Sequence, residues 1–283
     1  MGRVSGKVAF ITGAARGQGR AHAVRLAEEG ADIVALDVCT QLGSVDYPMA
    51  TPDDLAETAK LVEERDRRVL TRQVDVRDLG GMRTVVEEAV AEFGGIDIVV
   101  ANAGIATLGP SWELPEETVQ EMLDVNLMGV WKTTTATIPA MIEQGRGGSI
   151  ILTSSIAGLI GFNGLSHYVA AKHGVTGLMR ALAIEAAPYN IRVNSLHPGF
   201  ANTPMVNNDV FKAIFRPELE NPTEEDLSAV TLAMNALPVR WLEAIDLANA
   251  VLYLASDEAR YVSGTTHVVD AASTAPFKIP HPA

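Results

Sequence analysis

Apolar, β-branched runs of five to eight residues alternate along this chain with longer stretches in which apolar positions recur every three or four residues. The runs "VAFIT" (8–12), "DIVALD" (32–37), "VLTRQVD" (69–75), "DIVVAN" (97–102), "SIILTSS" (149–155), "IRVNSLH" (191–197) and "THVVD" (266–270) read as strands. Several are apolar almost throughout rather than at every second position, which is the pattern of strands covered on both faces, as in a parallel sheet. Helical periodicity fills 17–29, 80–93, 115–143, 168–187 and 244–255. Strand and helix in alternation predict a doubly wound α/β fold, with seven parallel strands, right-handed crossovers and helices on both faces.

Two segments interrupt the rhythm. Residues 38–58 form an insertion after the second strand that is longer than a βα loop needs, and residues 200–240 form an excursion before the last helix and strand. Both leave carboxyl ends of strands, where open α/β sheets bind ligands. Neither is a linker rich in Pro, Gly or Ser and no repeat is visible, so residues 1–283 read as one domain.

Composition narrows the partners. The chain is 47% hydrophobic and 20% charged, with a formal charge of −13 that repels phosphate backbones and anionic lipid surfaces. Nucleic acid and membrane are therefore poor partners, and no stretch approaches the ~20 apolar residues of a membrane-spanning helix. The first residues lack the apolar core of a signal peptide, and the single cysteine, Cys39, excludes an internal disulfide; the cytoplasm is the expected compartment.

Candidate chemistry begins directly after the first strand, in "TGAARGQG" (12–19), with Gly13, Gly17 and Gly19. Such glycines let backbone approach a pyrophosphate while the next helix presents free N–H groups and the positive end of its dipole. Arg16 and Gln18 lie within this turn, and Asp37 ends the second strand 18 residues after Gly19. A carboxylate there accepts hydrogen bonds from ribose hydroxyls and repels a 2′-phosphate, favouring NAD over NADP, although Arg16 pulls the other way. Asp75, placed to meet an adenine amino group, is followed by Val76; Asn102, Ala103 and Gly104 end the fourth strand. A turn residue satisfying nearby backbone is an equally good reading of Asn102.

In "SHYVAAKHG", Tyr168 and Lys172 stand four residues apart, on one helix face. Ser154 and Ser155 emerge at the same edge of the sheet as the glycine turn. Hydride transfer at a carbinol carbon needs a group to take or give the oxygen's proton, and a tyrosine at its ordinary pKa near ~10 needs a neighbouring cation to serve at neutral pH.

Taken together, these motifs resemble the short-chain dehydrogenase/reductases over nearly the whole chain, with Asn126 in "LDVNLMG" and "HPG" (197–199) adding to the match. The resemblance implies a single-domain fold of the Rossmann type and a catalytic tetrad. Tyr168 is the general acid/base, Lys172 lowers its pKa and holds the nicotinamide ribose, Ser155, thirteen residues before Tyr168, binds the substrate oxygen, and Asn126 supports a water relay. Pro198, Gly199 and Thr203 are implied to contact the nicotinamide half. Gln18, the 38–58 insertion, and "VDAAS" where the family usually has V-D-G-G resemble the branch of carveol dehydrogenase-like enzymes coupled to mycofactocin. That branch implies tightly held NAD, an external redox carrier and a homotetramer.

Apolar residues cluster on the expected substrate side: Ile156, Leu159, Ile160 and Phe162 after the serine, and Phe200, Met205, Val206, Phe211, Ile214 and Phe215 in the excursion, with Trp112 and Trp241 as further walls. They suit a hydrophobic secondary alcohol such as a cyclic terpenoid and its ketone, and equally suit helix packing. The six histidines show no metal-ligand spacing. Two other functions compete: an NADPH-dependent carbonyl reductase, which Asp37 disfavours, and a dinucleotide-binding sensor without chemistry, which the complete tetrad disfavours.

Overall fold

A computed structural model of the chain describes residues 2–275. Seven parallel strands form one sheet: β1 (Val8–Thr12), β2 (Asp32–Asp37), β3 (Val69–Gln73), β4 (Ile98–Ala101), β5 (Gly148–Thr153), β6 (Ile191–Pro198) and β7 (Thr266–Val269). They lie in the order β3-β2-β1-β4-β5-β6-β7, so the direction of winding reverses between β1 and β4. The helices are α1 (Gly17–Glu28), α2 (Pro52–Glu63), α3 (Leu79–Phe93), α4 (Glu116–Leu123), α5 (Gly129–Gln144), α6 (Ser166–Glu185), α7 (Asp209–Phe215), α8 (Glu224–Met234) and α9 (Ala244–Ala255). None among the described residues is long and apolar enough to cross a membrane.

The near-continuous apolar strands are explained by a core on each face. Phe10, Val34 and Leu36 point to one side with residues of α3, α5 and α6, whereas Ala9, Ile11, Ile33 and Ala35 point to the other with residues of α1, α2 and α9. Alternate side chains of each strand thus supply opposite cores.

The predicted and observed boundaries differ where chemistry begins. Asp75, Asn102 and Ser155 were placed at strand ends by the apolar pattern but lie just past β3, β4 and β5, in the turns at the carboxyl edge. The predicted helix 115–143 is α4 and α5 joined by five residues, Asp124–Met128, wound as a π-helix, and this segment contains Asn126. The 38–58 insertion is shorter as a loop than expected. Pro52 starts α2, and Thr51 caps it in a capping box with Asp54. The excursion 200–240 contains α7 and α8.

One core residue carries a charge liability. His22, on α1, is fully buried, and neither ring nitrogen has a partner among the described residues. Burial alone draws its pKa down to about 3. The folded state holds it neutral, while the unfolded chain takes up a proton as pH falls below about 6.5; its contribution is therefore complete above that pH and is lost progressively towards pH 3. Between pH 6.5 and 5 the loss is about 2 kcal/mol. Urea denaturation at pH 7 and pH 5 should show this fall, and His22→Leu should reduce it by about that amount; an equal fall in the variant would refute the assignment.

Candidate active site

The carboxyl edge opens into an elongated cavity above β1 and β4, where the winding reverses. Gly13, Arg16, Gly17, Gln18, Gly19, Asp37, Asp75, Val76, Asn102, Ala103, Gly104, Ser155, Tyr168, Lys172, Pro198, Gly199 and Thr203 all line it. Close packing explains the glycines. Gly13 has φ +66°, and a Cβ there would lie 2.8 Å from the Ala103 Cα; at Gly19 it would lie 2.0 Å from the Gly13 carbonyl oxygen. Arg16, before α1, makes no side-chain cap, so the first N–H groups of the helix remain available to an anion.

Side chains staple the turns together. The Thr12 hydroxyl accepts from the N–H groups of Asn102 and Ala103, both at 3.1 Å, and Asn102 Nδ2 donates to the carbonyls of Thr12 and Gly13. The turn-residue reading of Asn102 therefore accounts for its amide. Asp37 accepts from the N–H groups of Ala15 and Cys39, at 3.1 and 3.2 Å. Arg16 donates to the Pro48 carbonyl of the insertion, which directs its guanidinium to protein backbone. Asp75 is held in a fork by Arg77; burial opposes its ionisation, but these bonds keep its pKa below the usual carboxylate value.

The insertion closes over one end. Leu42, Val45, Tyr47 and Ala50 are buried, and Leu42, Tyr47, Met49 and Ala50 face the cavity. Ser44 donates its N–H and O–H to Glu121 on α4, whose other oxygen accepts from Arg77 at 2.8 Å. The Tyr47 hydroxyl accepts from the Ala106 N–H at 3.3 Å, and burial pushes its pKa up to about 12.

At the other end Tyr168 and Lys172 extend from α6, with the ammonium 5.5 Å from the centre of the tyrosine ring. Lys172 is buried, donates to the Thr153 carbonyl at 2.9 Å, and has its pKa drawn by burial to about 8. Burial raises the Tyr168 pKa, and the Ser155 hydroxyl is the group that pulls it back. The two serines separate cleanly. Ser154 donates to the Lys172 carbonyl and serves packing, whereas Ser155 accepts the Ala157 N–H and turns its hydroxyl to Tyr168 at the cavity.

Asn126 stands behind the cavity wall. It is fully buried and does not line the cavity. Its Oδ1 accepts the Ile105 N–H and its Nδ2 donates to the Ile105 carbonyl, both at 2.8 Å, because this strand-leaving backbone has no ladder partner. The side chain thus braces the wall of the site.

A second, apolar cavity adjoins the first. Ile156, Phe162, Phe200, Phe211 and Phe215 line it with Ser155 and Tyr168. The four phenylalanines pack edge to face or stacked, with centroids 6.0–6.4 Å apart. Met205 and Val206 belong to it as expected; Leu159, Ile160, Ile214, Trp112 and Trp241 do not, and Trp112 is 85% exposed. Sequence reasoning missed Tyr47, Glu121 and His197. A signal existed for Tyr47, since apolar residues at 42, 45, 47 and 49 are too many for a solvated loop.

The short chain dehydrogenase family profile matches residues 7–212, well over half of the chain. The chain belongs to this family. It is 56% identical over 274 residues to a short-chain type dehydrogenase/reductase of Mycolicibacterium smegmatis, covering 96% of this chain and 98% of that one. It is 51% identical over 275 residues to the (-)-trans-carveol dehydrogenase of Rhodococcus erythropolis, covering 97% and 99%. The crystal structure of carveol dehydrogenase from Mycobacterium avium in complex with NAD superposes with a TM-score of 0.96 at 52% identity, covering 97% of this dehydrogenase and 99% of that chain. Family membership explains the glycine turn and the Tyr-Lys pair. It also makes the departures informative: Ala271 and Ala272, where the family usually has glycines, both adopt positive φ, +53° and +58°, anchored by bonds from Ala272, Ser273 and Thr274 to Asp270.

Replacing Asn126 with Ala leaves a buried N–H and C=O of Ile105 unpaired and should cost this dehydrogenase about 2–4 kcal/mol. Asn126→Asp should not recover it, because a carboxylate oxygen would then face the Ile105 carbonyl. Urea denaturation measures both, and a loss under about 1 kcal/mol would contradict the bracing role.

Proposed function

We propose that this dehydrogenase interconverts a hydrophobic secondary alcohol of the carveol or terpenoid type and its ketone, using NAD held beneath the 38–51 loop. One observation carries the reading: Ser155 and Tyr168 line both cavities, so the polar groups able to manage an alcohol's proton stand where a dinucleotide site meets an apolar one. The names of the relatives support the same alcohol class and cofactor. The glycine turn, the open N-terminus of α1 and Asp37 fit a dinucleotide, and the buried, unpartnered Gln18 Oε1 beside the turn leaves an acceptor for it. Lys172 and Thr203 serve the nicotinamide half in this reading. NAD, when bound, supplies the hydride acceptor.

The protein's own steps are proton steps. Ser155 donates its hydroxyl hydrogen to the substrate oxygen and Tyr168 exchanges the oxygen's proton. The ammonium of Lys172, 5.5 Å from the centre of the tyrosine ring, favours the phenolate, which burial alone would disfavour. The phenylalanine cluster accepts an apolar ring, and its single polar corner orients the carbinol.

Retention of NAD is supported by how the loop is tied: Ser44 to Glu121, Arg16 to Pro48 and Tyr47 to Ala106. A nucleotide that exchanges poorly requires an external acceptor, and mycofactocin fills that place in this reading. Apolar surface at Met128, Trp131 and Tyr261 is consistent with assembly into a homotetramer.

Denaturing the purified protein and identifying released nucleotide by mass spectrometry should give near-stoichiometric NAD or NADH. An empty protein would overturn retention, and NADP would overturn the reading of Asp37. Tyr168→Phe should lower turnover of carveol with an artificial electron acceptor by at least about 100-fold while the released nucleotide is unchanged. Retained turnover would remove Tyr168 from the proton step.

A further inference from the structure

His197 is the penultimate residue of β6, immediately before Pro198, and is fully buried. Its Nδ1 lies 2.8 Å from the carbonyl oxygen of Ser155, and its Nε2 lies 2.7 Å from the Ser195 hydroxyl. A carbonyl cannot donate, so Nδ1 carries the hydrogen; Nε2 is then bare and accepts the Ser195 O–H. The arrangement specifies one neutral tautomer. Burial draws the His197 pKa down to about 4, with Lys172, Arg180 and His173 adding to the effect against the opposing bond to Ser155, so the ring is neutral near pH 7.

The residue that His197 grips, Ser155, lines both cavities beside Tyr168. Ser155 has extended backbone, φ −170°, at the start of the short 3-10 turn Ile156–Gly158. Its carbonyl accepts from Gly158 N–H at 2.9 Å and from His197, while its hydroxyl accepts from Ala157 N–H at 3.1 Å. The His197 bond adds a side-chain hold at the Ser155 carbonyl to the ladder bond from Ser154 N–H to the Leu196 carbonyl, 2.8 Å, and to the local bonds of the three-residue turn.

We propose that His197 is a positioning residue for the reaction, holding the Ser155 backbone so that the serine hydroxyl meets the substrate oxygen, with Ser195 fixing the imidazole tautomer. The inference rests on Ser155 binding that oxygen. It assigns function to a strand-borne pair, Ser195 and His197, that the apolar sheet would otherwise exclude as costly.

The test is a double-mutant cycle on the enzyme as purified, with carveol and an artificial electron acceptor. His197→Leu should lower kcat about 10- to 100-fold, the scale set by ångström misplacement of a reacting group, and leave KM for carveol within about threefold because the apolar cavity is untouched. His197→Asn, whose Nδ2 can replace Nδ1 as the donor, should recover most of that loss. In a Ser155→Ala background, His197→Leu should add less than about a twofold further loss. Wild-type kcat in His197→Leu would overturn the proposal. So would an undiminished loss in the Ser155→Ala background, or an Asn variant as slow as the Leu variant. Should His197→Leu not fold, Ser195→Ala in the same cycle takes its place, since freeing Nε2 releases the tautomer; an unchanged kcat there would also overturn it. Ser155→Ala alone, with His197 intact, reads the underlying assignment separately: wild-type turnover would remove Ser155 from substrate binding and the proposal with it.

Discussion

At the carboxyl edge of a parallel sheet the chain leaves the hydrogen-bond ladder, and each buried N–H and C=O released there must find a partner elsewhere. That requirement organises this site. Thr12 and Asn102 tie the ends of β1 and β4 to each other, Asp37 holds the glycine turn, Asn126 answers Ile105, and His197 answers Ser155. Most polar side chains buried near the cavities are thus engaged with backbone. Ser155 and Tyr168 differ in lining both cavities at once.

The short strand exit at 104–107 shows the same logic at its densest. Gly104 and Ile105 face the dinucleotide cavity and Ala106 faces the apolar one. Asn126 holds Ile105, Tyr47 holds Ala106, and the Thr107 hydroxyl meets His167 Nε2 at 2.7 Å. Three elements distant in sequence therefore fix the partition between two compartments: the insertion, the π-wound turn after α4, and the start of α6. Its rigidity follows from side chains, because no ladder reaches it.

The sheet was legible because strands buried on both faces write themselves as continuous apolar runs, and the glycine turn because backbone approaching within van der Waals distance admits no side chain. Tyr168 and Lys172 were legible through helical spacing. Other features were not readable for identifiable reasons. Asn126 looks in sequence like any polar residue on a helix, and only the neighbouring backbone of Ile105 shows where its amide is spent. Arg16 looks like a phosphate ligand until Pro48 is found beside it. His197 and Ser195 occupy alternate positions of an otherwise apolar strand, and two polar residues on one buried face must satisfy each other; that signal was present at 195 and 197 but points to a pair, not to Ser155. The phenylalanine cavity required the excursion to fold back, so Phe211 and Phe215 could be separated from Ile214 only by the phase of α7.

The anchoring of the insertion has a bearing on how such loops are inherited. Ser44 is bound by Glu121, which Arg77 orients, and Arg77 in turn grips Asp75. A loop following β2 is thus wired to α4 and to the turn after β3, through Glu121 and Arg77, which lie 77 and 33 residues beyond Ser44. The loop is not a detachable module. Grafted onto a relative without Glu121 and Arg77, the same fourteen residues, 38–51, would lose their tether at Ser44, so gain or loss of this cover in descent must proceed together with substitutions outside the loop.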